Sequence, residues 1–328
     1  MKARLLFISR KTLRLILLLI VVSIASFALV EASPVDPVQA YIGPNIMKVS
    51  PEKRAEIEDY WGANDPAPTR FFKWSAAILK GDFGDSLIYK RPVLDVIGEK
   101  FKASIALMAT AWVISGILGF FLAILSGRRQ GTLLDKGIKA YCYVLLSTPT
   151  FWLCMLLIII FSVNLKWFPI ALGTPIGVLQ SEVTIWDSIH HMILPAATLS
   201  LIGVASITLH TRRKLVDVMS TDYVLFAKAR GETQGQIIKN HGMRNILLPF
   251  ISLQFLSFSE LFAGAVITEK VFSYPGLGQA TIDAGLKGDV PLLLGIVIFT
   301  SIFIFAGNLV ADILYSVIDP RIKKGVTL

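Results

Sequence analysis

The sequence predicts an all-α integral membrane protein with about six transmembrane helices, an extracytoplasmic cap after the first and a polar cytoplasmic loop between the fourth and fifth. Three observations carry the prediction. Of 328 residues 54% are hydrophobic and only 17% charged, where a soluble domain carries about 25% charged residues. Mean hydropathy is +0.65. Several apolar runs reach the roughly 20 residues that a helix needs to cross a bilayer.

The runs lie near Thr12 to Val30, Ser104 to Leu125, Ile138 to Val163, His191 to Leu209, Ile246 to Thr268 and Pro291 to Val317. They divide the chain into 1–30, an N-terminus with the first helix; 31–103, the cap; 104–317, a core of helices 2 to 6; and a tail at 318–328. The first run has a second reading as a cleaved signal peptide, because Lys2, Arg4, Arg10, Lys11 and Arg14 precede it and "VEA" at Val30 to Ala32 resembles a cleavage site. Pro149 and Pro195 are expected to kink their helices.

Orientation follows from where Lys and Arg fall in the short loops. Arg128, Arg129, Lys136 and Lys139 follow the second run, and Arg212, Arg213, Lys214, Lys228, Arg230, Lys239 and Arg244 follow the fourth. Arg321, Lys323 and Lys324 are in the tail, whereas the opposite loops hold Lys166, Lys270 and Lys287. Both termini and the loop 212–245 are therefore expected in the cytoplasm. The net charge of +9 is accounted for by this placement rather than by nucleic acid. In the cap, Ser50 as N-cap and Pro51 at the first helical position predict a short helix, and "GDFGDSLIYKRPV" predicts a turn leading into the second span.

Within "AKARGETQGQIIKNHGMRNILLP", Ala227, Ala229 and Gly231 stand beside Lys228, Arg230 and Glu232. Small residues let another surface approach the backbone, and neighbouring charges fix register. Gly231 and Gly235 disfavour one unbroken helix, so a helix, a turn and a second short helix are expected, with Pro249 near the entry of the fifth span. A solvated loop whose charges merely hold orientation is the alternative.

The stretch "AKARG" followed by "HGMRNILLP" resembles the cytoplasmic EAA loop of bacterial ABC importer permeases, in the form carried by the dipeptide, oligopeptide and nickel permease family, first-permease type. The first EAA position lacks Glu, and the Gly231 to Pro249 spacing is longer than the general pattern. Further likenesses are "GDFGDSL" at Gly81 to Leu87 with "RPV", "STPTFW" at Ser147 to Trp152, "HMILPAATLS" at His191 to Ser200, "EKVFSYPGLGQA" at Glu269 to Ala280 and "NLVADILYSVIDPRI" at Asn308 to Ile322. "VEASPVDPV" is a looser likeness.

The resemblance implies a non-catalytic subunit of a multi-pass bacterial or archaeal inner-membrane importer. It would pair with a second permease, bind two cytoplasmic ATPases through Ala227 to Glu232 and receive its solute from an extracytoplasmic binding protein. ATP and Mg would reside on the ATPases, since no G-x-x-x-x-G-K-[ST] loop is present here. "GRRQGTLLDK" is a candidate secondary contact.

Ionisable groups inside apolar runs are functional candidates by default. For Glu260, midway along the fifth run, a pathway or gate and a helix-to-helix hydrogen bond both stand open. Asn308 and Asp312, one turn apart, fit packing or anchoring. Tyr274, Pro275, Gly276 and Gly278 form a turn that either shapes an outer mouth or is simply tight. Cys142 and Cys154 share one apolar run, and the four histidines lack metal-site spacing. A nickel or metal-chelate solute is neither supported nor excluded. An ATP-independent secondary transporter would need two related halves with interrupted helices, and a membrane enzyme would need a catalytic set such as H-E-x-x-H; neither pattern is visible.

Overall fold

The computed structural model describes residues 2–32, 65–178 and 182–318. The expected helix at Ser50, most of "VEASPVDPV" and the basic tail lie outside these residues. The described residues are mostly helical and contain no named strand, with one isolated bridge between Asp85 and Pro92. Among the described residues four helices are long and apolar enough to cross a membrane, or six if each of two bent pairs is one span.

The chain forms two compact units, residues 1–103 with 276–306 and residues 104–275 with 307–328. The first contains α1 (Lys2–Glu31) and α2 (Ala67–Leu79). It also contains the opening turns of α3, which runs Val93–Arg128 and so begins within the range assigned to the cap rather than at Ser104. Between α2 and α3 the chain turns tightly. Gly81 and Gly84 take φ of +85° and +72°, and Val93 N donates to Gly84 O at 2.9 Å. The turn is fastened to Asp289, fully buried, which accepts from Ser86 Oγ at 2.6 Å, Ile88 N at 3.0 Å and Leu292 N at 3.2 Å. The last bond caps the helix that begins at Val290.

In the second unit, α4 (Leu133–Ser147) starts at an N-cap formed by Thr132. The expected single span over Ile138 to Val163 is instead broken. Pro149 forces the residue before it out of helical geometry: Thr148 has ψ 123° and Pro149 becomes the N-cap of α5 (Thr150–Leu157). A π-helical turn, Ile158–Asn164, continues α5, and the axes differ by 107°, far more than a kink. Pro195, by contrast, stays inside a continuous α6 (Ile185–Met219), which opens on a Thr184–Asp187 capping box.

After α6 come α7 (Asp222–Ala229), α8 (Gln234–Ile237), a second π-helical turn (Ile238–Gly242) and α9 (Met243–Val271), with Pro249 inside α9. The helix–turn–helix expectation holds, with Gly231 at the turn and Gly235 inside α8. The remaining helices are α10 (Leu277–Lys287) and α11 (Val290–Ile318).

Small residues permit close approach of α3 to α6. A Cβ on Gly119 would lie 2.8 Å from Ile207 Cγ2, and one on Gly203 would lie 2.8 Å from Ser115 Cβ. Small residues serve this purpose in membranes, where contact itself must favour association.

Candidate functional site

The loop between α6 and α9 is built around an inward stripe. Val224 and Ala227, one turn apart on α7, are buried with Ile237 of α8 against Met219 at the end of α6. Ala227 is 3% exposed, so its side chain belongs to this core and is not available to a partner, contrary to the sequence reading. The outward face of α7 is formed by Leu225 and Phe226, each 66% exposed, with exposed Lys228, Ala229 and Arg230 beside them. Sequence reasoning overlooked Leu225 and Phe226. The i, i+3 spacing of Val224 and Ala227 was the signal that could have separated the inner face from the outer.

Gly231 ends α7 with φ +85°, the left-handed conformation in which glycine avoids a Cβ penalty. Gly231 N donates to Lys228 O at 2.9 Å and Glu232 N to Ala227 O at 3.2 Å. Its smallness thus serves the backbone, and a Cβ there would meet nothing within 4 Å. Glu232 pairs with Arg230 at 3.7 Å and His241 at 3.4 Å. Thr233 and Gln236 form a capping box for α8. Gln234 Nε2 donates to Arg128 O at 2.6 Å, and Asn245 Nδ2 to His241 O at 2.7 Å.

Near this loop, Asp135 is fully buried and held by Arg212 through two bonds, Nε to Oδ1 at 2.6 Å and Nη2 to Oδ2 at 2.7 Å. Ser126 Oγ donates to Oδ1 at 2.5 Å and Gly131 N to Oδ2 at 2.9 Å. The "GRRQGTLLDK" segment is therefore tied to α6, and Arg212 is an ion-pair partner as well as a cation near a helix end.

At the other end of α6, His190 Nε2 meets Trp167 O and His191 Nδ1 meets Leu172 O, both at 3.0 Å. Carbonyl oxygens only accept, so each of these ring nitrogens carries a proton. Leu172 N donates to Phe272 O at 2.8 Å, and Pro275 covers Gly173 so closely that a Cβ there would lie 2.6 Å from Pro275 Cδ. Tyr274 is buried, and burial pushes its phenol up to about 12, the Glu269 carboxylate adding to the shift. Glu269 is itself fully buried and accepts from Ser104 Oγ at 2.5 Å. Gly276 caps α10, and Gly276 and Gly278 are buried; within this chain these turn residues pack rather than stand open.

Glu260 is exposed on α9, and Asn308 and Asp312 are exposed on α11. Among the described residues, the buried polar ones of the fifth run are Gln254 and, at its end, Thr268; sequence reasoning overlooked Gln254. Gln254 Nε2 donates to Trp112 O and Trp112 Nε1 donates to Gln254 O, both at 2.6 Å. Among the described residues no group of three or more His, Cys, Asp or Glu side chains is placed to hold a metal ion. Cys142 and Cys154 are free, buried thiols.

Two family descriptions match the chain: binding-protein-dependent transport system inner membrane component over residues 116–324, and the N-terminal membrane component of the same systems over residues 4–108. The oligopeptide transport system permease protein AppB of Bacillus subtilis is 34% identical over 97% of this chain and 99% of its own. The dipeptide transport system permease protein DppB of Alkalihalophilus pseudofirmus is 32% identical over 96% and 98%. The di/tripeptide transport system permease protein DppB of Pseudomonas aeruginosa is 30% identical over 97% and 98%. With matches of this extent over an apolar helical chain, the protein belongs to the family of inner membrane components of binding-protein-dependent transport systems.

Proposed function

We propose that this chain is one of two permease subunits of an ATP-driven importer for peptides. An extracytoplasmic binding protein delivers the solute, and two cytoplasmic ATPases dock on the permeases. The names of the relatives supply the solute class. The observation that carries the docking reading is the outward face of α7, where Leu225 and Phe226 stand exposed among Lys228 and Arg230 on a helix whose inner face is fixed. Fully burying such side chains against a partner contributes about 1.5–3 kcal/mol each.

Six spans with both termini in the cytoplasm fit this role. Asp135, at the start of α4, is bound to Arg212, whereas Trp167 and Leu172, just past the first π-helical turn, are bound to His190 and His191. From His190 to Arg212 α6 rises about 33 Å, slightly more than the roughly 30 Å hydrocarbon core. The bent pair α4 and α5 therefore runs from one end of α6 to the other and acts as one span. The basic residues at the α7 end support a cytoplasmic position for that end.

The chain supplies no bond chemistry in this reading. Nucleotide binding draws the ATPases together, and α7 carries their motion into α6 and α9; such coupling needs contacts that differ between two states.

The test is copurification through a C-terminal tag from the native membrane, comparing the natural chain with Phe226→Asp and Leu225→Asp. Both positions are exposed, so the variants should insert and melt normally while losing the ATPases. Retention of the ATPases in both variants would remove α7 as the docking face. A natural chain that copurifies with no ATPase would point to transport without ATP.

A further inference from the structure

Helix α2 (Ala67–Leu79) stands outside everything proposed above. It has thirteen residues, and the chain buries none of them. At 100° per residue, Trp74, Ile78, Phe71, Leu79 and Phe72 fall within one arc about 160° wide, interrupted by a polar side chain at Ser75 alone, with Thr69, Lys73 and the capping residue Lys80 opposite. One edge of the arc meets α1: Phe71 lies edge-on to Phe27 at 5.3 Å, and Trp74 lies 6.1 Å from the same ring. Arg70 is ion-paired with Glu31. The other edge has no such cover, for Phe72 is 70% and Leu79 88% exposed.

The contact with α1 fixes where this exposed edge lies. Phe27 is one turn before Glu31, the last residue of α1, and the apolar span of α1 is Arg10–Glu31. Helix α2 is therefore attached at the rim of a stretch that is itself covered by lipid. An apolar arc continuous with that lipid-facing surface, backed by lysines, has the form of a helix lying in the plane of a membrane interface.

We infer that α2 rests in the outer headgroup region of the bilayer, with Phe72 and Leu79 in the acyl boundary, Lys80 directed to phosphate and water, and Lys73, whose Nζ pairs with Asp65 at 2.6 Å, on the aqueous side with it. The stripe from Phe72 to Leu79 spans two turns, so the helix must lie flat for both ends to reach the boundary together. The inference rests on α1 crossing a membrane with its N-terminus in the cytoplasm, and not on the importer reading.

The test uses the full chain in phosphatidylcholine nanodiscs, with Cys142→Ala and Cys154→Ala as background. Spin labels are placed through Phe72→Cys, Leu79→Cys, Lys73→Cys and Lys80→Cys, and collision with oxygen is compared with collision with an aqueous nickel chelate. Labels at 72 and 79 should read about 5–10 Å below the phosphates, while those at 73 and 80 should be open to the chelate. As a label-free check, tryptophan emission in Phe72→Trp should be quenched more than that of the parent chain by lipid brominated high on its acyl chain. Equal chelate access at all four positions would overturn the inference in favour of solvent. Shielding of 72 and 79 from both oxygen and chelate would overturn it in favour of a protein cover, from residues 33–64 or from a partner. None of these readouts depends on transport.

Discussion

Arg212 is one of the cations from which the orientation of the chain is proposed, yet the structure gives it a second task that can be separated from the first. Its guanidinium holds the fully buried carboxylate of Asp135 by bonds of 2.6 and 2.7 Å. Arg212→Gln leaves that carboxylate with Ser126 Oγ, Gly131 N and Lys139 Nζ, the last 3.8 Å away. Breaking a buried pair by removing one partner costs about 3–5 kcal/mol. The surviving donors and Lys139 place this case near the lower end, about 3 kcal/mol. Arg212→Lys preserves the charge that orients the chain but cannot keep the bidentate geometry, so it should lose about 1.5–3 kcal/mol, one charge-assisted bond. Melting in detergent can be followed with a thiol-reactive dye, because Cys142 and Cys154 are buried until the chain opens. Adding Asp135→Asn to Arg212→Gln should recover part of the loss, giving a coupling of at least about 1 kcal/mol. If Arg212→Lys melts with the natural chain and the double variant shows no coupling, the contact is worth no more than an exposed pair, under about 1 kcal/mol, and Arg212 serves orientation alone.

Gly231→Ala places a Cβ in the left-handed region at φ +85°, costing about 1–2 kcal/mol, whereas Gly235→Ala inside α8 should be neutral or gain up to about 1 kcal/mol; hydrogen exchange over residues 221–237 should loosen only in the first. Tyr274 is held neutral well above the ordinary 10 of a tyrosine, at about 12. The folded chain thus binds the phenol proton more tightly than the unfolded chain, so its stability is intact below pH 10 and falls as pH rises towards 12, by roughly 3 kcal/mol. Tyr274→Phe should remove that part of the alkaline loss, and parallel melting curves against pH check it. Asp289→Ala removes a helix cap worth about 1 kcal/mol and strands Ser86 Oγ and Ile88 N; limited proteolysis should then cut within Gly81–Val93 first.

Apolar run length found four of the six runs as single long helices, with the other two as bent pairs, because it responds to the bilayer and not to neighbouring elements. The turn at Gly231 was legible for the related reason that a glycine acts locally. What stayed hidden depends on partners far away in sequence. Asp135 and Arg212 are separated by 77 residues, and nothing in either neighbourhood marks the other. Asp289 and Ser86 are separated by 203. Pro149 and Pro195 look alike in sequence, yet the first breaks its segment and the second does not. At Pro149 the preceding Thr148 leaves helical geometry and two short helices result, while α6 carries Pro195 without interruption. In the loop, small residues suggested a close-approach surface, but Ala227 is small because it sits between Val224 and Ile237, and Gly231 because of its φ. The exposed Leu225 and Phe226 had the appearance of ordinary apolar filling in a hydrophobic chain.

That division of labour bears on how a short helix could move long ones. The outward residues of α7 are few, but its inward residues are not isolated. Val224, Ala227 and Ile237 pack on Met219, and Met219 also packs on the cluster of Leu215, Val218 and Ile246. That second cluster joins the last turns of α6 to the first turn of α9, while Gln234 ties α8 to the end of α3 through Arg128 O at 2.6 Å. A displacement of Phe226 therefore reaches three long helices through packed side chains and one hydrogen bond, without a flexible segment between. Packed clusters of this kind change by switching between discrete arrangements rather than by stretching. The turn at Gly231 fixes α8 against α7: if it frays, the outward face survives but its connection to Ile237 does not. With α7 as the proposed docking helix, loss of coupling with retained docking is thus the behaviour expected of a variant damaged at the turn, and loss of docking with a sound fold that of one damaged at Phe226.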